Sequence, residues 1–219
     1  MPIPTMTVPF RRRGLTLRAA ILGAVLLAVP LGATFANPNG QDTTAMTANS
    51  LLTLSAPPPQ RDGLHDFDFL IGEWKAHLRK RLNPLTGSTK WVEYDGTSRT
   101  HKLWDDRANT EEFDVEGPED KRHINAQTLR LYNPETREWS IYLVDAAKGT
   151  LSLPPTIGHF TDGRGEFYDY EEFNGRWIFV RYVWTSPSPN SATMVQSFSA
   201  DGGKSWEANW ICELTREKA

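Results

Sequence analysis

Between residues 72 and 216 the chain never settles into a helical period. It runs instead in short stretches, alternating or doubly apolar, rich in aromatic and β-branched side chains and each closed by turn-forming residues. That is a strand pattern. Trp74, Ala76 and Leu78 alternate with Lys75, His77 and Arg79 before Asn83-Pro84 and Gly87 turn the chain. Strands are predicted next over 90–99 and 108–115, with a turn at Trp104-Asp105-Asp106. Residues 126–132 and 138–145 flank Asn133-Pro134-Glu135-Thr136, where proline presets the turn and asparagine bonds back to the backbone. Strands 156–160 and 165–172 flank Asp162-Gly163, and 177–185 returns after Asn174-Gly175, a dipeptide suited to a type I′ hairpin. Pro187 and Pro189 interrupt the following connection, and 191–199 and 205–215 complete a set of about nine or ten strands. An open sheet of that length would expose its edges, so an all-β, antiparallel, up-and-down barrel is the expected architecture.

A second feature fixes where the barrel starts. His65-Asp66-Phe67-Asp68-Phe69-Leu70-Ile71-Gly72-Glu73-Trp74 leads apolar residues into a Gly-x-Trp. Gly72 relieves crowding where a helical turn swings into a strand, and Trp74 then brings the largest apolar side chain to the strand's first inward position. A short 3₁₀-like lead-in before Gly-x-Trp resembles the calycins, the lipocalins and their relatives. With Asp201-Gly202-Gly203-Lys204-Ser205-Trp206 near the C-terminus, the run from Phe67 to Trp74 resembles an uncharacterised bacterial family of exported calycin-like proteins. The likeness spans residues 64–216. It implies an up-and-down barrel around a ligand cavity, and it implies that a late basic residue, here Arg216, covers the Trp74 indole by a cation–π contact.

The N-terminal residues read as delivery. Arg11, Arg12, Arg13 and Arg18 precede an apolar run over 19–31, and small residues end at Ala33-Thr34-Phe35-Ala36. That is a signal peptide over 1–36, since the run is shorter than the roughly 20 residues that span a bilayer. Arg12-Arg13 permits a twin-arginine reading, but any basic leader offers such a pair. Residues 37–63, with Pro57-Pro58-Pro59, read as a flexible linker, which leaves 64–217 as the single barrel domain. Cys212 is the only cysteine, so no internal disulfide forms; export without disulfides fits a bacterial periplasm or exterior. Removing four arginines and no acids takes the formal charge from -3 to -7, which argues against nucleic acid as a partner. No stable membrane insertion is expected after the signal is cleaved.

Eight tryptophans, six tyrosines and ten phenylalanines are many for such a domain. They either line a cavity for an apolar or aromatic ligand or fill the barrel outright. In strand 177–185 the even positions Ile178, Val180, Tyr182 and Trp184 are uninterrupted and are assigned inside; in the last strand Trp206, Ala208, Trp210, Cys212 and Leu214 share a face. The candidate ligand-binding residues are therefore Trp74, Trp139, Tyr142, Tyr182, Trp184 and Trp210.

Ser199-x-Asp201-x-Gly203-x-Ser205-Trp206 matches the Asp-box of sialidases, a motif whose side chains satisfy turn amides; one copy in so short a domain is a hairpin, not a propeller. His65, His77, His101, His123 and His159 show no metal-ligand spacing, and no metal or cofactor is expected; for haem, His159 is the one candidate ligand. Among Glu111, Glu112, Glu166, Asp169, Glu171 and Glu172, with Tyr142, Tyr168 and Tyr170 as hydrogen-bond partners, a catalytic acid or base would have to face inward beside Arg130 or His159. Most such acids on alternating strands form the wet face. No nucleophile elbow, P-loop or dinucleotide fingerprint is present.

The reading that emerges is an exported barrel binding a small apolar or aromatic molecule. Its alternatives are a cofactor-independent isomerase, cyclase or lyase using Glu166 or His159 in the same cavity, and a cell-envelope interaction module without ligand.

Overall fold

The computed structural model describes residues 61–118 and 121–217. The expected signal peptide and nearly all of the expected linker lie outside the described residues. Among the described residues, eleven strands follow a single 3₁₀ turn, Asp68–Leu70: β1 Gly72–Arg81, β2 Trp91–Leu103, β3 Ala108–Glu116, β4 His123–Asn133, β5 Glu138–Asp145, β6 Thr150–Leu151, β7 Thr156–Thr161, β8 Arg164–Phe173, β9 Arg176–Ser188, β10 Ser191–Ser199 and β11 Glu207–Arg216.

Each long strand pairs antiparallel with its neighbour in sequence, β1 pairs with β11, and β5 pairs with both β4 and β7. Ten strands thus close an up-and-down barrel, and the two-residue β6 hangs from β5. Closure leaves the ten wall strands without an open edge. The turns are those the residues favour. Asn174 and Gly175 both take positive φ (52° and 76°), as do Asp162 and Gly163 (50° and 77°), which matches the twist of tight hairpins. Pro187 lies within β9 rather than interrupting it; the β9–β10 register shifts beside it, so its missing N–H is tolerated.

The lead-in seals one end, the floor. Leu70 accepts a 2.7 Å hydrogen bond from the Trp74 indole through its carbonyl, and Phe67, Leu70 and Trp74 are fully buried. Gly72 has φ +112°, and a Cβ there would sit 3.0 Å from Arg216 Nη1. Arg216 lies 4.1 Å above the Trp74 ring and donates to the carbonyls of Ile71 and Phe69 at 2.8 Å each, so the basic cover implied by the family likeness is present. The domain begins earlier than residue 64. Gly63 N–H donates to the Tyr132 hydroxyl at 2.9 Å and its carbonyl accepts from the Trp139 indole at 2.9 Å, so the last linker residues are built into the floor.

Candidate functional site: the barrel interior

Registers assign the inward face strand by strand. Phe167, which meets Phe67 at 5.5 Å, pairs with Tyr182, and Gly165 pairs with Trp184. Gly165, Phe167, Asp169, Glu171 and Phe173 therefore share the inner face of β8 with Ile178, Val180, Tyr182 and Trp184 of β9. Across β10 and β11 the same row continues: Tyr182 pairs with Gln196, and Gln196 pairs with Trp210.

The interior divides into two halves. On the floor side Phe67 is a hub, with Trp139 at 5.2 Å, Phe160 at 4.9 Å and Trp184 at 5.9 Å, edge to face. Here the aromatic residues fill the barrel. Trp74, Trp139 and Trp184, at 0%, 1% and 5% exposure, are packed members of this core. On the mouth side the same strands keep accessible surface on inward-facing side chains, among them Thr128, Tyr182, Met194, Gln196 and Trp210. Tyr182 is surrounded by protein and its hydroxyl is bonded to Thr156, yet part of its surface stays accessible. Above it, residues 82–90 lay Leu85 on Ile178, Val180 and Phe198, and Leu85 N–H donates to Glu207 at 2.7 Å. Lys80 Nζ stands 5.3 Å over the Trp210 ring.

Two polar constellations face inward. The lower is Arg130, which donates to Asn109 at 3.0 Å and to Glu111, while Ser98 donates to Glu111 at 2.6 Å. This buried pair is held between rings, with the guanidinium 5.1 Å from Phe67 and 5.2 Å from Trp184. Arg130 Nε, Thr100 Oγ1 and the Trp184 indole N–H, all buried, have no partner. Such a pair is costly to break, and it fixes how the floor packs.

The upper constellation is Asp169 and Glu171, consecutive on the inner face of β8. Asp169 is 7% exposed and its Oδ1 has no hydrogen-bond partner. Burial first, then the neighbouring charge of Glu171, pushes the Asp169 carboxyl up to about 7. Burial also raises Glu171, against the opposing charge of Lys148. The Tyr182 phenol is pushed up by burial and by both carboxylates, which places it within reach of their field. A carboxyl in this setting holds a proton near neutral pH and can release it to solvent when a cation takes its place.

Several predicted residues lie elsewhere. Tyr142 alternates with Trp139 and Ile141 and so points away from the interior. The β10–β11 pairing skips Asn209, and this bulge shifts the phase of β11: Trp210, Cys212 and Leu214 face in, whereas Ala208 and Trp206 face out. Trp206 packs outside between Arg181, 4.4 Å away, and Tyr168, 6.1 Å away. Glu166 is on the outer face as well. Burial would raise it, but hydrogen bonds from Tyr168 and Arg164, each 2.7 Å, prevail and hold it below its ordinary value. His159 pairs with Glu166 outside, where burial lowers it; as an acid, base or haem ligand for the cavity it faces the wrong way. The Asp-box is a turn: Asp201 accepts from Ser199 at 2.8 Å and from Ser205 N–H and Oγ at 2.9 and 2.6 Å. Sequence reasoning did not single out Thr128, Met194 or Gln196, which are neither aromatic nor charged and become visible only once the register is known.

A second concavity, of about 550 Å³, lies on the outer floor between Arg61, Asp66, Phe69, Phe160, Pro187 and Arg216. Its charges are already matched: Arg61 clasps Asp66 at 2.6 and 3.0 Å.

No protein-family model matches the chain, and no curated protein matches it. Among solved structures it is similar to the S-type phycobiliprotein lyase CPES from Guillardia theta, with TM-score 0.50 and 11% identity over 74% of this chain and 99% of that one. It also matches Rv2717c from M. tuberculosis (TM-score 0.47, 10% identity, 73% and 100% covered) and EF1p2_mFAP2b bound to DFHBI (TM-score 0.40, 11% identity, 71% and 99% covered). The likeness to the lyase is one of fold, a lipocalin-like barrel.

Proposed function

We propose that this is an exported ligand-binding barrel of the bacterial periplasm or exterior, delivered by residues 1–36 and belonging with the exported calycin-like proteins it resembles. It holds a small, largely apolar or aromatic molecule in the mouth-side half of its interior. Tyr182 and Trp210 form the contact surface, and Trp184, Trp139 and Trp74 form the rigid floor beneath. The observation that carries this reading is the contrast along single strands. Inward residues near the floor are sealed, whereas Thr128 on β4, Tyr182 on β9, Met194 and Gln196 on β10 and Trp210 on β11 keep accessible surface, with Val180 and Ile178 sealed again beyond Tyr182. A protein selected only for a solid core would fill both halves.

Native mass spectrometry of the protein purified from its own host, beside a denatured control, tests the proposal. The expected result is a stoichiometric non-covalent mass that disappears on denaturation and is lost in Trp210→Ala. A protein that flies empty, and whose tryptophan fluorescence ignores added apolar dyes, would instead favour the envelope interaction module.

One observation supports a second reading, a cofactor-independent isomerase, cyclase or lyase: a buried carboxyl, Asp169, faces inward and is pushed up to about 7. Conversion of the captured ligand by the wild-type protein but not by Asp169→Asn would establish it.

A further inference from the structure

Among the polar side chains that face the interior, Asp169 and Glu171 form the acidic pair, and their chemistry selects the ligand's charge. On the inner face of β8, Asp169 and Glu171 stand two residues apart, so their side chains project to the same side. Asp169 pairs with Val180, and Tyr182 is Val180's next inward neighbour on β9; the row Tyr182, Gln196, Trp210 then runs across three strands. An acid pair and two partly accessible rings thus face the same interior.

The protein supplies these carboxyls with little compensation. Asp169 Oδ1 is buried and unpartnered. The inward cation below them, Arg130, is held by Glu111 and Asn109. Lys148, on the loop after β5, acts on Glu171 from outside while bridging Asp145 at 3.7 Å. Arg81, near the rim, lies 3.9 Å from Glu207. Lys80 occupies the face of Trp210, which shows that this ring accepts an ammonium. The remaining titratable neighbour, the Tyr182 phenol, is bonded to Thr156 and carries no charge to offset theirs.

We infer, resting on the ligand-binding reading, that the cavity takes a cation: a protonated amine with an apolar or aromatic body, its nitrogen against Asp169 and Glu171 and its body along Tyr182 and Trp210. The binding step is an exchange. In the empty protein a proton on Asp169 removes one of the acid pair's two charges; an ammonium replaces it, and the proton leaves to solvent. A carboxylate ligand would add a further negative charge to the same low-dielectric space, and a neutral ligand would leave Asp169 Oδ1 without a cation.

Isothermal titration calorimetry of the full chain with three probes sharing one body distinguishes the cases: 2-phenylethylamine, 2-phenylethanol and phenylacetate. The expected order is amine, alcohol, acid, with roughly tenfold between the first two, the scale of one charge-assisted hydrogen bond. Repeating the amine titration in buffers of different ionisation enthalpy should reveal proton release, which mere packing would not produce. In Asp169→Asn/Glu171→Gln the amine's advantage and the proton release should vanish while the alcohol still binds. Both substitutions remove buried charge, so folding should survive. Equal affinities for the three probes, or an amine preference unchanged in the double variant, would overturn the inference and leave the cavity reading standing. No binding by any probe, together with no ligand in native mass spectra, would overturn both.

Discussion

Asp169 sits in a conflict that its own protein does not resolve. A carboxylate with a buried, unpartnered oxygen is unfavourable, and relief comes only from a proton or a cation. The consequence for stability has a definite sign. The folded value of about 7 lies above the ordinary 3.8, so between those limits the folded chain keeps a proton that the unfolded chain has released. Stability should therefore fall as pH rises from about 4 to about 7, and stay low above; the full swing from this group is on the order of 2–4 kcal/mol. Glu171 is pushed in the same direction. Urea denaturation near pH 5 and near pH 8 checks this. Asp169→Asn should be more stable than wild type at the higher pH and should lose much less between the two, keeping the smaller slope that Glu171 contributes. If variant and wild type keep the same spacing at both pH values, Asp169 is not the group holding the proton.

At the scale of the strand, β8 explains why the acids were hard to read. Tyr168 and Tyr170 alternate with Asp169 and Glu171, and alternation by itself assigns the aromatic set to the core and the acids to water. The wall is inverted here. Tyr168 is buried on the outside because the loop after β10 folds Trp206 onto it, and Phe179 and Tyr170 meet at 4.9 Å on that same outer face. Local patterning fails where a wall has cover on both sides, and a site that needs charge inside is where such a failure is expected. β9 was legible because Arg181 interrupts one of its faces. β11 was not, because the bulge at Asn209 leaves no mark in composition, and Tyr142 was not, because the apolar run over residues 141–144 crosses both faces of β5. The Asp-box loop carries the cover, and it depends on one side chain. Asp201 is held low, at about 2, chiefly by the Ser205 hydroxyl and amide and by Ser199. Asp201→Ala should release residues 200–206, expose Trp206 and shift tryptophan emission to the red at neutral pH. The wild type should show the same shift only when acid protonates Asp201, well below the ordinary carboxylate range. Emission unchanged in the variant would mean that Arg181 and Tyr168 hold Trp206 unaided.

For the molecule as a whole, strand positions and barrel closure were legible because turn dipeptides and alternation act locally. The division of the interior into a sealed floor and a partly accessible half was not, since it depends on how far Phe67 reaches from outside the wall into it. Closure also has a dynamic consequence, which Cys212 can report. The thiol is the chain's single cysteine, lies 4% exposed on the inner face of β11, and pairs across β1 with Leu78 and across β10 with Met194. Burial first, then the charges of Glu111 and Glu213, pushes it far above its ordinary range, so it is unreactive in place. An open sheet would let an edge strand peel away, but in a closed barrel β11 is clasped from both sides and pinned at its end by Arg216 on the floor. Exposure of Cys212 should therefore require global unfolding. Labelling by an aromatic disulfide reagent, followed against urea, should give an opening free energy whose slope equals the global m-value. A shallow slope would mean that the β1–β11 seam opens by itself, a route by which a ligand could enter through the wall instead of the mouth.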